Sequence, residues 1–179
     1  MKSICIYILR KIGWKIVGLT NLPDKCVICV APHTSNGDLL LGLIAYKAMG
    51  RKASFLIKKE WFFFPMNLIL KKLGGIPVDR SRKSSLTEHM AEIFSKKDNF
   101  QLAITPEATR KPNAEWKKGF YFIALEADVP IVIAAFDYGK KEIDFKKIVM
   151  PTGDVEGDIA KIKDCYKGVV ARHPECFSL

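Results

Sequence analysis

Apolar residues fall in short continuous runs separated by amphipathic stretches. "KCVICVAP" (Lys25 to Pro32) carries no polar position from Cys26 onward and is rich in valine and isoleucine, the pattern of a strand covered on both faces. "LLLGLIAYKAM" then reads as a helix that stops at Gly50. "ASFLIK" reads as the next strand, "WFFFPMNLILKKLG" as a turn and a short helix ending near Gly74 and Gly75, and "IPVDR" as a brief strand. Leu86, Met90, Ile93 and Phe94 share one face of a helix that Ser85 and Glu88 would open as a capping box. "FQLAIT" is a strand, "GFYFIALEAD" a helix and "VPIVIAAF" a strand. "IDFKKIVM" gives a last strand before a C-terminal helix holding Ile159, Ile162 and Val169. Strands alternating with helices predict an α/β fold, a mostly parallel mixed sheet flanked by helices. In such sheets ligands collect where strands end in loops.

The length of 179 residues suits one domain, 1–179, with room for a real core. Residues 1–20, "MKSICIYILRKIGWKIVGLT", interleave apolar positions and Trp14 with Lys2, Arg10, Lys11 and Lys15. That pattern reads as an interfacial helix among anionic headgroups, or equally as a first helix packed on the core. The apolar part is broken by Arg10 and Lys11 and lacks a small-residue cleavage site, against a signal peptide. The apolar runs are short: "WFFFPMNLIL" reaches ten residues and contains Pro65, and "VPIVIAAF" has eight, against the roughly 18 to 20 needed to span a bilayer.

Charge changes the picture. With 29 Lys and Arg against 19 Asp and Glu, the net +10 favours an anionic partner: nucleic acid, a membrane surface or a phosphorylated substrate. Nucleic-acid binders that read single strands space aromatics among basic residues. Here "EWFFFPMNLIL" packs them into one greasy block, which favours an anionic membrane surface over nucleic acid. Five cysteines are an odd number and point away from a disulfide framework. Cys26, Cys29 and His33 resemble zinc spacing only superficially: no second Cys or His pair follows at ligand spacing, and no metal is expected.

The candidate chemistry lies in "PHTSNGD". His33 falls where the first core strand gives way to a helix, and Asp38 follows five residues later. Five helical residues turn through about 500°, so on one regular helix the two would point roughly 140° apart. They meet only if His33 precedes the helix and Asp38 sits in its first turn, a bend that Pro32 and Gly37 ease. A carboxylate so placed orients the imidazole and leaves its other nitrogen to take a proton. "SNGD" is also a capping box, with Ser35 as N-cap and Asp38 returning to its amide. Arg80 follows a short strand, and Glu107 and Arg110 follow another. Two guanidinium forks at neighbouring strand ends suit a phosphate, with Glu107 orienting one of them or a hydroxyl; solvated surface charge is the alternative.

The order His-x4-Asp, Gly-x4-Arg (Gly75 to Arg80), Pro-Glu-x-Thr-Arg (Pro106 to Arg110) and Val-Pro-Ile-Val (Val129 to Val132) resembles the four blocks of the glycerolipid acyltransferases. The 1-acylglycerol-3-phosphate (lysophosphatidic acid) acyltransferases are their best-known members. The resemblance runs from about Val27 to Phe136, within a motif-bearing core of 27–136, and Lys58 matches a lysine often found before the second block. It implies His33 as general base and Asp38 as its orienting partner. The hydroxyl of a lysophospholipid acceptor, 1-acylglycerol-3-phosphate, would attack the thioester of acyl carrier protein or coenzyme A, a co-substrate rather than a cofactor. Arg80, Glu107 and Arg110 would bind the acceptor's polar head, with Thr109 in the same block and Gly75 letting the backbone come close. The block from Trp61 to Leu70 would receive an acyl chain or serve as core. Lys111, Trp116, Lys117 and Lys118 would read a head group or form a basic rim. The third block usually reads Glu-Gly-Thr-Arg; Ala108 in place of glycine implies a backbone that does not need glycine's freedom. Attachment at the cytoplasmic face of the membrane, peripheral rather than spanning, is expected. The rival readings are the same chemistry on another lysolipid or a hydroxylated amino-acid lipid, and a non-catalytic basic module that binds anionic lipid.

Overall fold

The computed structural model of the chain describes residues 1–78 and 83–179, with 83–85 by backbone alone. The elements run α1 (Lys2–Lys11), β1 (Lys15–Gly18), β2 (Lys25–Ala31), α2 (Gly37–Ala48), β3 (Ser54–Lys58), α3 (Met66–Leu73), β4 (Gly75–Val78), α4 (Lys83–Lys96), β5 (Phe100–Ile104), α5 (Gly119–Glu126), β6 (Ile131–Asp137), β7 (Glu142–Val149) and α6 (Val155–Asp164). The strands form one sheet in the order β1-β7-β6-β2-β5-β3-β4. From β6 to β4 neighbours are parallel; β7 runs antiparallel to β6, and β1 runs parallel to β7. The mostly parallel mixed sheet expected from the alternating pattern is thus the observed one.

The apolar run of β2 lies at the centre because both its faces are covered. Val27, Cys29 and Ala31 pack with Leu102, Ile131 and Ile133 under α4, α5 and α6, where Met90, Phe94, Phe120 and Ile162 are buried. Cys26 and Ile28 point the other way, with Val132, Ala134 and Phe136, beneath Cys5 and Leu9 of α1 and Leu41, Ala45 and Tyr46 of α2. The period-two alternation of a strand sends its residues into two separate cores. The register Cys29 to Ile104 and Ala31 to Ala135 brings the ends of β2, β5 and β6 to one edge.

Three expectations change. The N-terminal segment is not one helix over 1–20: α1 ends at Lys11, Gly13 turns the chain with φ +76°, and Lys15–Gly18 becomes an edge strand on β7. Trp14 is buried rather than among headgroups. The helix α1 packs Cys5 and Leu9 on the core, as the second reading expected, while Ile4, Tyr7 and Ile8, with Ile12 just beyond the helix, are exposed. The helix α4 starts at Lys83, so Ser85 lies inside its first turn and not at its cap. The last helix ends at Asp164, leaving Val169 beyond it, although Val169 still packs on the core.

Candidate active site

The loop after β2 turns sharply into α2, so His33 lies outside the helix and Asp38 is its second residue. Both conditions for their meeting hold: His33 Nδ1 is 3.2 Å from Asp38 Oδ2. The same oxygen accepts the backbone N–H groups of Thr34 (3.0 Å) and Ser35 (2.9 Å), while Ser35 Oγ accepts the Gly37 N–H at 3.0 Å. The N-cap of α2 is Asn36, whose side chain makes no cap bond, one place after the expected Ser35. Asp38 still returns to the Ser35 amide while it contacts the imidazole, because one carboxylate oxygen has room for several donors. Asp38 is buried at 2% exposure, and His33 keeps 21% of its side chain exposed. Burial pushes the Asp38 carboxyl's pKa up, yet the hydrogen bonds from His33, Tyr138 and the Ser35 amide outweigh it and hold the group below its ordinary value.

Glu107 follows β5, and its side chain turns inward. Both carboxylate oxygens accept the backbone N–H of His33, at 3.0 and 3.1 Å, and the residue is only 2% exposed. It holds the loop that carries the imidazole, rather than facing an acceptor head group. Burial pushes its pKa up to about 7, against the pull of the His33 amide and imidazole and with help from the Asp38 charge. Its own backbone carbonyl accepts from the Asn113 side chain at 3.0 Å, which ties down the loop leading to α5.

The remaining residues singled out from the sequence are less evenly gathered. Arg110 is exposed and donates to the Asn36 side chain at the start of α2, which sets its guanidinium beside the His33 loop. Thr109 Oγ1 accepts the Lys111 N–H at 3.2 Å, a local turn contact. Lys58 ends β3, paired in register with Val78 at the end of β4, so it shares the sheet edge where His33 lies. Gly75 is the first residue of β4, and a Cβ there would come within 3.0 Å of the Leu70 carbonyl oxygen. The close approach it allows is that of α3, not of a ligand. Arg80 lies outside the described residues. Ala108 has φ +55°, a left-handed conformation, so the backbone here does take the form glycine would adopt freely, contrary to the reading from sequence.

Two further expectations are corrected. Trp116 is buried, edge-on to Tyr166 with the Lys163 ammonium over its ring, and so is core rather than rim. Trp61, Phe63, Phe64, Leu68 and Ile69 are all more than half exposed, so most of the block from Trp61 to Leu70 is not ordinary core; only Leu70 is buried. Cys26 and Cys29 are fully buried in β2, and burial pushes both thiols' pKa up to about 12.

Residues beyond the sequence motifs also reach the site. The Tyr138 hydroxyl donates to Asp38 Oδ1 at 2.5 Å. From the C-terminal segment, Arg172 Nη1 donates to Ser35 Oγ at 3.3 Å and the His173 N–H to Thr34 Oγ1 at 3.2 Å. Nothing in the local sequence marks them.

The family model described as Acyltransferase matches residues 13–136, which include the His33 loop, Glu107 and Arg110. The chain belongs to the acyltransferase family. Among relatives of this acyltransferase-family chain, 1-acyl-sn-glycerol-3-phosphate acyltransferase beta of Homo sapiens is 30% identical over 136 residues, covering 73% of this chain and 48% of that protein. A Mycoplasma pneumoniae protein named "Probable 1-acyl-sn-glycerol-3-phosphate acyltransferase" is 31% identical over 145 residues, covering 73% and 51%. The chain thus spans about half the length of these curated relatives. The crystal structure of the 1-acyl-sn-glycerophosphate (LPA) acyltransferase PlsC from Thermotoga maritima shares the fold, with a TM-score of 0.57 and 17% identity over 95% of this chain and 80% of that one. Among the described residues, no helix is long and apolar enough to cross a membrane.

Proposed function

We propose that the chain transfers a fatty acyl group from a thioester of acyl carrier protein or coenzyme A to the hydroxyl of 1-acylglycerol-3-phosphate at a membrane surface. The observation that carries this reading is the His33–Asp38 contact at the exit of β2, in a chain whose family and relatives are acyltransferases. With Nδ1 committed to Asp38, the other ring nitrogen, Nε2, is the one that takes the proton from the acceptor hydroxyl. The hydroxyl oxygen attacks the thioester carbonyl carbon, the tetrahedral adduct collapses, and the sulfur leaves and receives that proton from the imidazolium. A placed base of this kind is worth about 10²- to 10⁴-fold. No acyl-enzyme is needed, and the buried thiols of Cys26 and Cys29, held protonated, are poor candidates for one.

Arg110, beside the loop, offers a fork for the acceptor's phosphate, and Arg80 of the Gly-x4-Arg block is the second arginine this reading assigns to it. Lys58 at the same sheet edge adds positive charge. The exposed side chains of Trp61, Phe63 and Phe64 together with the outward face of α1 supply apolar surface for acyl chains and bilayer, and the net +10 favours anionic lipid at a cytoplasmic face.

Purified protein with labelled acyl donor and a panel of lysolipid acceptors should yield acylated product. His33→Ala should lower turnover by at least roughly a hundredfold while leaving vesicle binding intact. Equal product from the variant would overturn the base assignment. Vesicle binding without product from the wild type would leave a non-catalytic lipid-binding module, and product only with a phosphate-free hydroxylated acceptor would remove the arginines' role.

A further inference from the structure

We propose that Tyr138, just beyond β6 and outside all four sequence blocks, is a positioning residue that fixes the Asp38 carboxylate against the His33 imidazole. The inference rests on His33 acting as the base. A carboxylate hinges about its Cβ–Cγ bond, and pinning one oxygen does not fix its plane. In Asp38 one oxygen gathers the three donors of the His33 loop, and the other is held by the Tyr138 hydroxyl at 2.5 Å. Both oxygens are therefore anchored, from two strands that adjoin in the sheet.

Tyr138 is itself held from three directions. Its backbone N–H donates to the Val170 carbonyl at 2.8 Å. Its ring meets Trp14 edge-on, with centroids 4.8 Å apart and planes at 85°. Arg172, which bonds Ser35 at the start of the same loop, also reaches the phenol. Burial and then the Asp38 bond push the phenol's pKa above its ordinary value, so the hydroxyl keeps its proton to donate. Among the described residues, the charged and titratable groups around the His33 loop are Asp38 of α2, Glu107 and Arg110 after β5, Tyr138 after β6, and Arg172 and His173 of the C-terminal segment. Among these, Tyr138 is the one whose donor is spent on the free oxygen of Asp38.

Removing the hydroxyl has two consequences. The carboxylate loses its fixed plane, which misaligns the imidazole. It also keeps more negative charge for the imidazolium, because a hydrogen bond no longer drains one oxygen.

Tyr138→Phe keeps the ring contact with Trp14 and is the variant to test. Following the His33 imidazole by NMR, assigned through His33→Gln, its titration midpoint should move to higher pH in Tyr138→Phe. Tyr138→Phe added to Asp38→Asn should produce no further movement, as a coupling through Asp38 requires. With an acyl donor and acceptor, kcat should fall roughly tenfold, the loss of one hydrogen bond to a charged group, with KM unchanged. The acid limb of the rate profile should move up with the midpoint. An unmoved midpoint, or an equal movement in the Asp38→Asn background, would overturn the proposal, whatever happened to Tm. The titration needs no substrate, so a wild type inactive on every acceptor would defeat the proposed reaction and still leave this coupling to be decided.

Discussion

Glu107 is the residue whose ionisation bears most directly on the loop carrying His33. Glutamine in its place keeps the shape and leaves an oxygen to accept the His33 N–H, but removes the ionisable carboxyl. In the folded chain that carboxyl's pKa is raised by burial from 4.5 to about 7. A raised folded value means the contribution is fully present below pH 4.5, where both folded and unfolded chains hold the proton, and is lost as pH rises through about 7. At about 1.36 kcal/mol per pH unit, the interval amounts to about 3 kcal/mol, of which about 2.5 falls between pH 5 and pH 8. Asp38, with its lowered value, contributes above the ordinary carboxylate range and is lost only as pH falls further, so it is constant across this window in both proteins. Urea unfolding of wild type and Glu107→Gln at pH 5 and pH 8 reads the difference directly. Relative to the variant, the wild type should lose about 2.5 kcal/mol over that range, about 5 to 10 °C in Tm for a chain of this size. Parallel stability curves for the two proteins between these pH values would refute the inward, charge-averse placement of Glu107.

The other predictions address separate parts of the molecule. Ala108→Gly should raise stability by up to about 1 kcal/mol in urea unfolding, since relief of the left-handed alanine outweighs glycine's greater freedom in the unfolded chain; a loss of stability would contradict φ +55° there. Replacing Phe63 and Phe64 with serine should weaken binding to anionic vesicles by roughly tenfold for each side chain in a sedimentation assay, with Tm unchanged because both are exposed. Unaltered vesicle binding would remove this patch from the membrane surface. Trp116→Ala should cost about 3 to 5 kcal/mol, as expected for a buried aromatic, whereas a rim residue would cost little.

The strands were legible because residues buried on both sides of a parallel sheet need no polar position, so β2 and β6 announce themselves as unbroken apolar runs. His33 and Asp38 were legible for a different reason: they are five residues apart, and local backbone geometry alone limits how such a pair can meet. The edge strand β1 was missed, since four residues ending in a glycine carry little periodic signal and owe their conformation to pairing with β7. Ala108 misled because residue identity is a weak guide to φ once neighbouring contacts fix the turn.

The sequence by itself determined the sheet's central strands, the helices that cover them and the short histidine–aspartate segment between β2 and α2. Tertiary structure alone decided what holds that segment: Glu107 from 74 positions away, Tyr138 from 100 and Arg172 from 137. Hydrophobic periodicity is local and records burial, whereas the partners of a polar group are chosen by which strand ends the sheet order brings to a common edge.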